Sequence, residues 1–319
     1  MITLMLKKRY TAAQFGLSLC LIIVALPAYS AGPYRLELHG GFSRTDTSSN
    51  SSSEFSVPTP QSYQSTDNYS TDSLDFSGDY YFRSIETNNG PLQEAAFLAK
   101  ASTLTFSVSK SRLYNKGQSY TYRSNNYDLG YQFVAPERPW IGVVSYGGNN
   151  QSLRQTNYSL GMGRYIGRRS SVVAEYGSSH YRGTSLRFET LTIRARSLLR
   201  IGAQHYLAVS AALHRSSETS PTHGEPYRTY EFGVTYYPRD DISIALSTNG
   251  NYHLNIPYVS DDTRGYLLEA NWFLNESITL GAGYETSRER ANSAYPGLGY
   301  FTVIHSNADG FRLSFSWRH

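Results

Sequence analysis

From Pro33 onward, large apolar and polar side chains alternate along the chain with a period of two, the period of a β-strand. The closing segment shows it most clearly. Phe311, Leu313, Phe315 and Trp317 share one face, while Arg312, Ser314, Ser316 and Arg318 share the other. Leu36, Leu38 and Phe42 alternate with Arg35, Glu37 and His39, and Leu74, Phe76, Tyr80 and Phe82 with Asp75, Ser77 and Asp79. Leu104, Phe106 and Val108 stand against Thr103, Thr105 and Ser107; Tyr127, Leu129, Tyr131 and Phe133 stand against Asp128 and Gln132. Further strands are marked by Tyr158-Leu160-Met162, by Val172-Ala174-Tyr176 around Glu175, and by Leu191-Ile193-Ala195 opposite Thr192, Arg194 and Arg196. Leu207 to Leu213, Tyr230 to Tyr236 around Glu231, Ile242 to Leu246, Tyr266 to Trp272 opposite Glu269 and Asn271, and Ile278 to Tyr284 continue the series. Trp140 to Tyr146 also reads as a strand, but its facing cannot be assigned. The pattern predicts about 14 strands, with 12–16 as the span that single-sequence boundaries allow.

The connections alternate too. Those after odd strands are long and polar (44–71, 110–124, 147–156, 178–185, 215–228, 249–263, 287–307). Those after even strands are mostly short turns of Pro, Gly, Asp and Asn. The stretch 44–71 is rich in Ser, Thr, Asn and Pro without periodicity and reads as a long loop. Residues 83–100 differ from the other turns: Asn88-Asn89-Gly90-Pro91 is followed by a short apolar, helix-tolerant piece, Leu92 to Leu98.

The N-terminus carries a different signal. Lys7, Lys8 and Arg9 precede an apolar run from Phe15 to Ala25, and Ala28-Tyr29-Ser30 supplies small residues for cleavage. Residues 1–30 are therefore expected to be a removed secretory signal, with 31–319 as the mature barrel. Cleavage removes the only cysteine, Cys20, so the mature chain holds no disulfide. It also removes three basic residues and no acidic one, which lowers the formal charge from +4 to +1. Such a near-neutral chain gives no electrostatic case for nucleic acid or for acidic lipid. No stretch after residue 30 is apolar for long enough to make a transmembrane helix. Tyrosine is in excess, 28 residues, and suits an interface where one end of the ring is apolar and the other wet.

Export, alternating strands and alternating loop lengths together predict an all-β fold: a transmembrane antiparallel up-and-down β-barrel with short periplasmic turns and long extracellular loops. The barrel must close, because in hydrocarbon every backbone N–H and C=O needs an internal partner. At this strand number side chains alone do not fill the interior, so a polar lumen holds water. Lumen-lining candidates are Arg35, Glu37, Asp75, Asp79, Asp128, Glu175, Arg194, Arg196, Glu231, Glu269, Asn271 and Arg312. Arg194 and Arg196 form either an electropositive rung or, as the favoured reading, pairs with lumen acids. Acids outnumber bases on the predicted inner face, which suggests a preference for cations.

The run Leu74-Asp-Phe-Ser-Gly-Asp-Tyr-Tyr-Phe82, followed by Asn89-Gly-Pro-Leu-Gln-Glu-Ala-Ala-Phe-Leu98, resembles an uncharacterised outer-membrane porin family of Gram-negative proteobacteria. That resemblance implies a porin in the outer membrane, with this segment as the second strand and its periplasmic connection. It implies no catalytic residues. Barrels of this class commonly end on the aromatic residue itself, whereas here Arg318 and His319 follow Trp317.

The expected function is passive diffusion of small hydrophilic solutes, with ion transport included. The expected partners are outer-membrane lipid and lipopolysaccharide, and the barrel-assembly machinery through the C-terminal strand. The alternatives are a non-conducting surface or structural barrel, adhesin-like or phage-receptor, whose long loops carry the role, or an outer-membrane hydrolase. For the hydrolase, Ser247-Thr248-Asn249-Gly250 with His253 and the pair Asp240-Asp241 are weak echoes of catalytic sets, and each reads better as a loop start or a turn. The eight histidines show no i,i+4 pair, so neither a metal site nor a cofactor is expected.

Overall fold

The structure, a computed structural model, describes residues 33–55, 61–115, 121–135, 138–150, 154–185, 187–202, 204–218, 227–253, 259–295 and 300–319. The expected export signal lies outside them. Fourteen strands run in chain order: β1 (Tyr34–Phe55), β2 (Gln61–Ile85), β3 (Thr103–Asn115), β4 (Thr121–Val134), β5 (Trp140–Asn149), β6 (Gln155–Ile166) and β7 (Ser170–Tyr181). They continue as β8 (Arg187–Arg200), β9 (Tyr206–Glu218), β10 (Tyr227–Arg239), β11 (Ile242–His253), β12 (Val259–Phe273), β13 (Ile278–Tyr295) and β14 (Tyr300–Arg318). Each strand pairs antiparallel with its sequence neighbours, and β14 pairs with β1, so the sheet closes into a barrel. The fold is that of outer-membrane β-barrels, turned inside out relative to a soluble protein. Leu160 and Met162 on β6 are 69% and 68% exposed, and Leu213 is 63% exposed, while Glu37 and Glu175 on the inner face are buried.

The facing of β5 is now clear. Trp140, Val144 and Tyr146 point outward with about half their surface exposed, whereas Ile141 is buried inside. The strand is apolar on both faces because its inner residues pack on another piece of the chain, described below.

One expectation fails. The stretch 44–71 is not a long loop: β1 continues to Phe55 and β2 resumes at Gln61, with the two strands paired throughout. The same holds for 287–307, where β13 and β14 stay paired from Tyr295 and Tyr300 downward. Backbone hydrogen bonds alone sustain a hairpin, and alternation is demanded only where one face meets lipid. Cross-strand bonds such as Ser51 to Ser65 (2.8 Å) and Thr66 to Asn50 (2.9 Å) join polar residues that give no periodic signal.

The residues after Trp317 have a structural use. The amides of Arg35 and Leu36 both donate to the His319 carbonyl at 2.8 Å, and the His319 amide donates back to the Leu36 carbonyl at 2.8 Å. The His319 ring stacks on Trp317, centroids 5.4 Å apart. Arg318 and His319 thus complete the β1–β14 seam.

Candidate functional site

The inner wall is a set of ion pairs. Arg318 reaches Glu37 at 2.8 Å, and Tyr81 donates to the same carboxylate at 3.3 Å. Arg194 pairs with Glu175, Arg312 with Glu285 at 3.6 Å, His39 with Asp79 at 3.4 Å, and His214 with Glu231 at 3.6 Å. Asn271 donates to Glu269 at 2.8 Å. Asp75 sits opposite Gly41, and Asp128 beside Gly147. A side chain at Gly147 would meet the Asp128 carboxylate at 2.6 Å, so glycine is what makes room for that acid. Asp128 makes no ion pair among the described residues.

Arg35 departs from this inner set. β1 and β2 lose register between Tyr34 and Leu36. The irregularity turns Tyr34 inward against Tyr81, rings at 5.7 Å, and leaves Arg35 exposed with Ser84 as its partner at 3.2 Å. A bulge of this kind reverses facing without altering the local sequence pattern.

The apolar piece after β2 does not stay outside the barrel. Leu92–Glu94 makes one 3₁₀ turn and continues as a short helix α1 (Ala95–Ala99). The connection reaches the turns at the far side of the mouth. The Leu92 amide donates to the Asp240 carbonyl at 3.0 Å, Lys100 Nζ to the Gly167 carbonyl at 2.9 Å, and Thr87 to Glu276 at 2.8 Å. Those partners lie in the turns after β10, β6 and β12, so residues 86–102 cross the opening on the short-turn side. Gly90 makes this possible: its φ of +152° is open to glycine and strained for other residues.

Glu94 lies at the centre of the crossing with 1% of its side chain exposed. Arg196 gives it two hydrogen bonds, at 2.7 and 2.6 Å, and Tyr237 donates a third at 2.5 Å. Three hydrogen bonds from two side chains give the carboxylate the partners a buried charge requires. Phe97, next on the segment, lies between the Arg196 guanidinium (4.9 Å) and the Tyr165 ring (5.6 Å). It also packs on Val134 and Ile141, while Leu98 adjoins the cluster of Leu198, Tyr206, Ala208 and Tyr237. This explains why β5 has an apolar inner face.

Above α1 lies a space of ≈ 530 Å³, with Phe97 in its floor and Asp79, Glu175, Arg194, Arg196 and Glu231 in its walls. Five candidates thus share one chamber, while Glu37, Asp75, Asp128, Glu269, Asn271 and Arg312 lie elsewhere on the lining. Alternation along the strands points to neither Glu94 nor Tyr237. The acid inside the apolar Leu92–Leu98 run was the available signal for Glu94, since an apolar segment with one central carboxylate implies a buried partner.

No protein-family model matches the chain, and no curated protein matches it. Among solved structures, the outer membrane protein Omp33 of Acinetobacter baumannii is similar over 90% of this chain and 99% of its own, with a TM-score of 0.51 and 17% identity. A Pseudomonas aeruginosa FadL homologue is similar over 89% and 90%, with a TM-score of 0.42 and 9% identity. OccK8 (OprE) of Pseudomonas aeruginosa is similar over 87% and 98%, with a TM-score of 0.39 and 11% identity. At such identities the likeness to Omp33 establishes a shared fold, that of an outer-membrane β-barrel.

Proposed function

We propose that this chain is an outer-membrane channel for small hydrophilic solutes whose opening on the short-turn side is governed by the segment Leu92–Ala99. The chamber above α1 carries the reading. Its wall places carboxylates and guanidinium groups around free space, a lining that is stable only when hydrated. The strand ends joined by short turns face the periplasm in this reading, and the wet bore leads from the outer surface down to the helix. The C-terminal strand is the element offered to the barrel-assembly machinery.

Single-channel recording of purified, refolded protein in planar bilayers tests this. Stable conductance steps are expected, brief or small in the native protein and larger when the helix is released. Absence of steps in both native and released forms across lipids and voltages overturns the channel reading. The crossing helix also favours a second reading, a non-conducting surface barrel. In that case neither form conducts, although the barrel is folded and inserted.

A further inference from the structure

The carboxylates beside the two chamber arginines do not use up their donors. Arg194 meets Glu175 through Nη1, and Arg196 meets Glu94 through Nη2. Their other guanidinium nitrogens have no hydrogen-bond partner among the described residues, and about half of each side chain is exposed. Glu231 of β10 is more open still, at 65%. Its Oε1 lies 3.6 Å from His214 Nε2, beyond hydrogen-bond reach, and His214 is already bonded to Thr192 through Nδ1 at 2.9 Å. A carboxylate and two guanidinium groups therefore look into the same free space with bonding capacity to spare.

Register explains why these opposite charges do not pair with each other. Arg194 stands opposite Ala212 of β9, and Ala212 opposite Glu231, so the two charges share one row with an alanine between them. Two strand spacings hold their backbones roughly 10 Å apart. In the adjoining row Arg196 stands opposite Ser210, and Ser210 opposite Gly233. Small residues thus floor the gap, and Ser210 and Ala212 line the chamber together with the charged groups. The gap suits one kind of solute. A plain anion meets the wall carboxylates of Asp79, Glu175 and Glu231, and a plain cation meets guanidinium groups open to the same space. A zwitterion engages both poles and adds no net charge.

We propose that the gap between Arg194 and Glu231 is a binding site for zwitterionic solutes of the free α-amino acid class. The solute carboxylate bonds to the spare guanidinium nitrogens of β8, and its ammonium group donates to Glu231. The proposal rests on the channel reading above for its role in transport, and deepens that reading by naming the solute class.

Isothermal titration of the purified protein in uncharged detergent micelles at neutral pH tests it with three matched probes. These are L-alanine, N-acetyl-L-alanine, which keeps only the carboxylate, and L-alanine methyl ester, which keeps only the ammonium group. L-alanine is expected to bind, and the other two at least about tenfold more weakly. Glu231→Gln should weaken L-alanine by at least about tenfold and leave N-acetyl-L-alanine no weaker than before. Glu231→Lys should transfer the preference to N-acetyl-L-alanine, a gain that misfolding cannot imitate. No binding of L-alanine, equal binding of all three probes, or an unchanged Glu231→Gln variant overturns the proposal. So does a native preference for the ester or the acetyl form, which marks a plain cation or anion site. Binding is read without conduction, so a protein that conducts but fails to bind L-alanine refutes this site and leaves the channel reading standing.

Discussion

Tyr237, at the end of β10, donates its hydroxyl at 2.5 Å to Glu94, a residue 143 positions away on the segment that crosses the mouth. The same carboxylate is clamped by Arg196 from β8. A connection rooted in β2 and β3 is thereby anchored to β8 and β10 through Glu94, beside the Leu92–Asp240, Lys100–Gly167 and Thr87–Glu276 contacts.

Glu94→Ala should release that fastening. It removes three hydrogen bonds and leaves the buried Tyr237 hydroxyl unsatisfied. The cost to the closed arrangement is about 1–3 kcal/mol, discounted because Arg196 is 43% exposed and keeps water. Larger or longer conductance steps are expected in planar bilayers, with the barrel still resistant to unfolding in detergent. Conductance identical to native would remove Glu94 from any gating role.

The converse is a lock. The backbones of Leu92 and Asp240 are in hydrogen-bond contact, so cysteines at both positions are placed to form a disulfide. Leu92→Cys/Asp240→Cys should show reduced conductance when oxidised and recover with dithiothreitol. Recovery is expected to be stronger when Glu94→Ala is added. No response to the reductant, with the crosslink verified by mass, would place the conducting path elsewhere.

The β1–β14 seam depends on Arg318. It lies between the Tyr34 and Phe273 rings, at 4.9 and 4.8 Å, and pairs with Glu37 where both side chains are less than a tenth exposed. Arg318→Ala should cost about 3–5 kcal/mol, the penalty for leaving one member of a buried pair alone. Urea unfolding followed by electrophoretic mobility measures it. Arg318→Lys should restore part of the loss; a midpoint unchanged in the alanine variant would refute the seam's dependence on this pair.

Two substitutions on β4 separate its faces. Leu129 is 50% exposed on the outer surface, whereas Gln132 lines the chamber above α1. Leu129→Arg should impair assembly by roughly 2–4 kcal/mol if it lies near the bilayer midplane, and Gln132→Arg should be tolerated. Folding yield into liposomes reports the difference, and equal yields would contradict the outward–inward assignment.

Much of the wall was legible in the sequence because lipid imposes a simple rule: wherever one face meets hydrocarbon and the other meets water, residues alternate. Fourteen strands and most facings followed from it, from Phe311 to Trp317 and from Leu191 to Ala195. Its failures are equally physical. β5 could not be faced because Ile141 is apolar for the sake of Phe97, a contact no local pattern reveals. Arg35 reads as inward because strict alternation cannot register the irregularity beside Tyr34. Segment 44–71 reads as loop because Ser, Thr, Asn and Asp fill both faces of the β1–β2 hairpin there and leave no alternation to detect. The pairing of Arg194 with Glu175 followed from facing, but Arg196 took Glu94, whose path into the barrel was invisible.

The unequal strand lengths have a last consequence. β3 begins pairing with β2 only at Tyr69, so Gln61 to Asn68 has a neighbour on one flank and none on the other among the described residues. At the opposite border, β11 leaves β12 above Arg264. Five strands therefore rise as a crest whose two margins have no paired strand among the described residues, although the Thr263 amide donates to Asn251 Oδ1 at 2.6 Å. Unpaired sheet margins are the edges through which sheets of separate molecules zip together. Tyr63 and Phe301 aside, which are 57% and 43% exposed, the crest's Ser, Thr, Asn and Gln side chains offer little grease to reward such zipping, so the parapet can stand in water without gluing neighbouring barrels to one another.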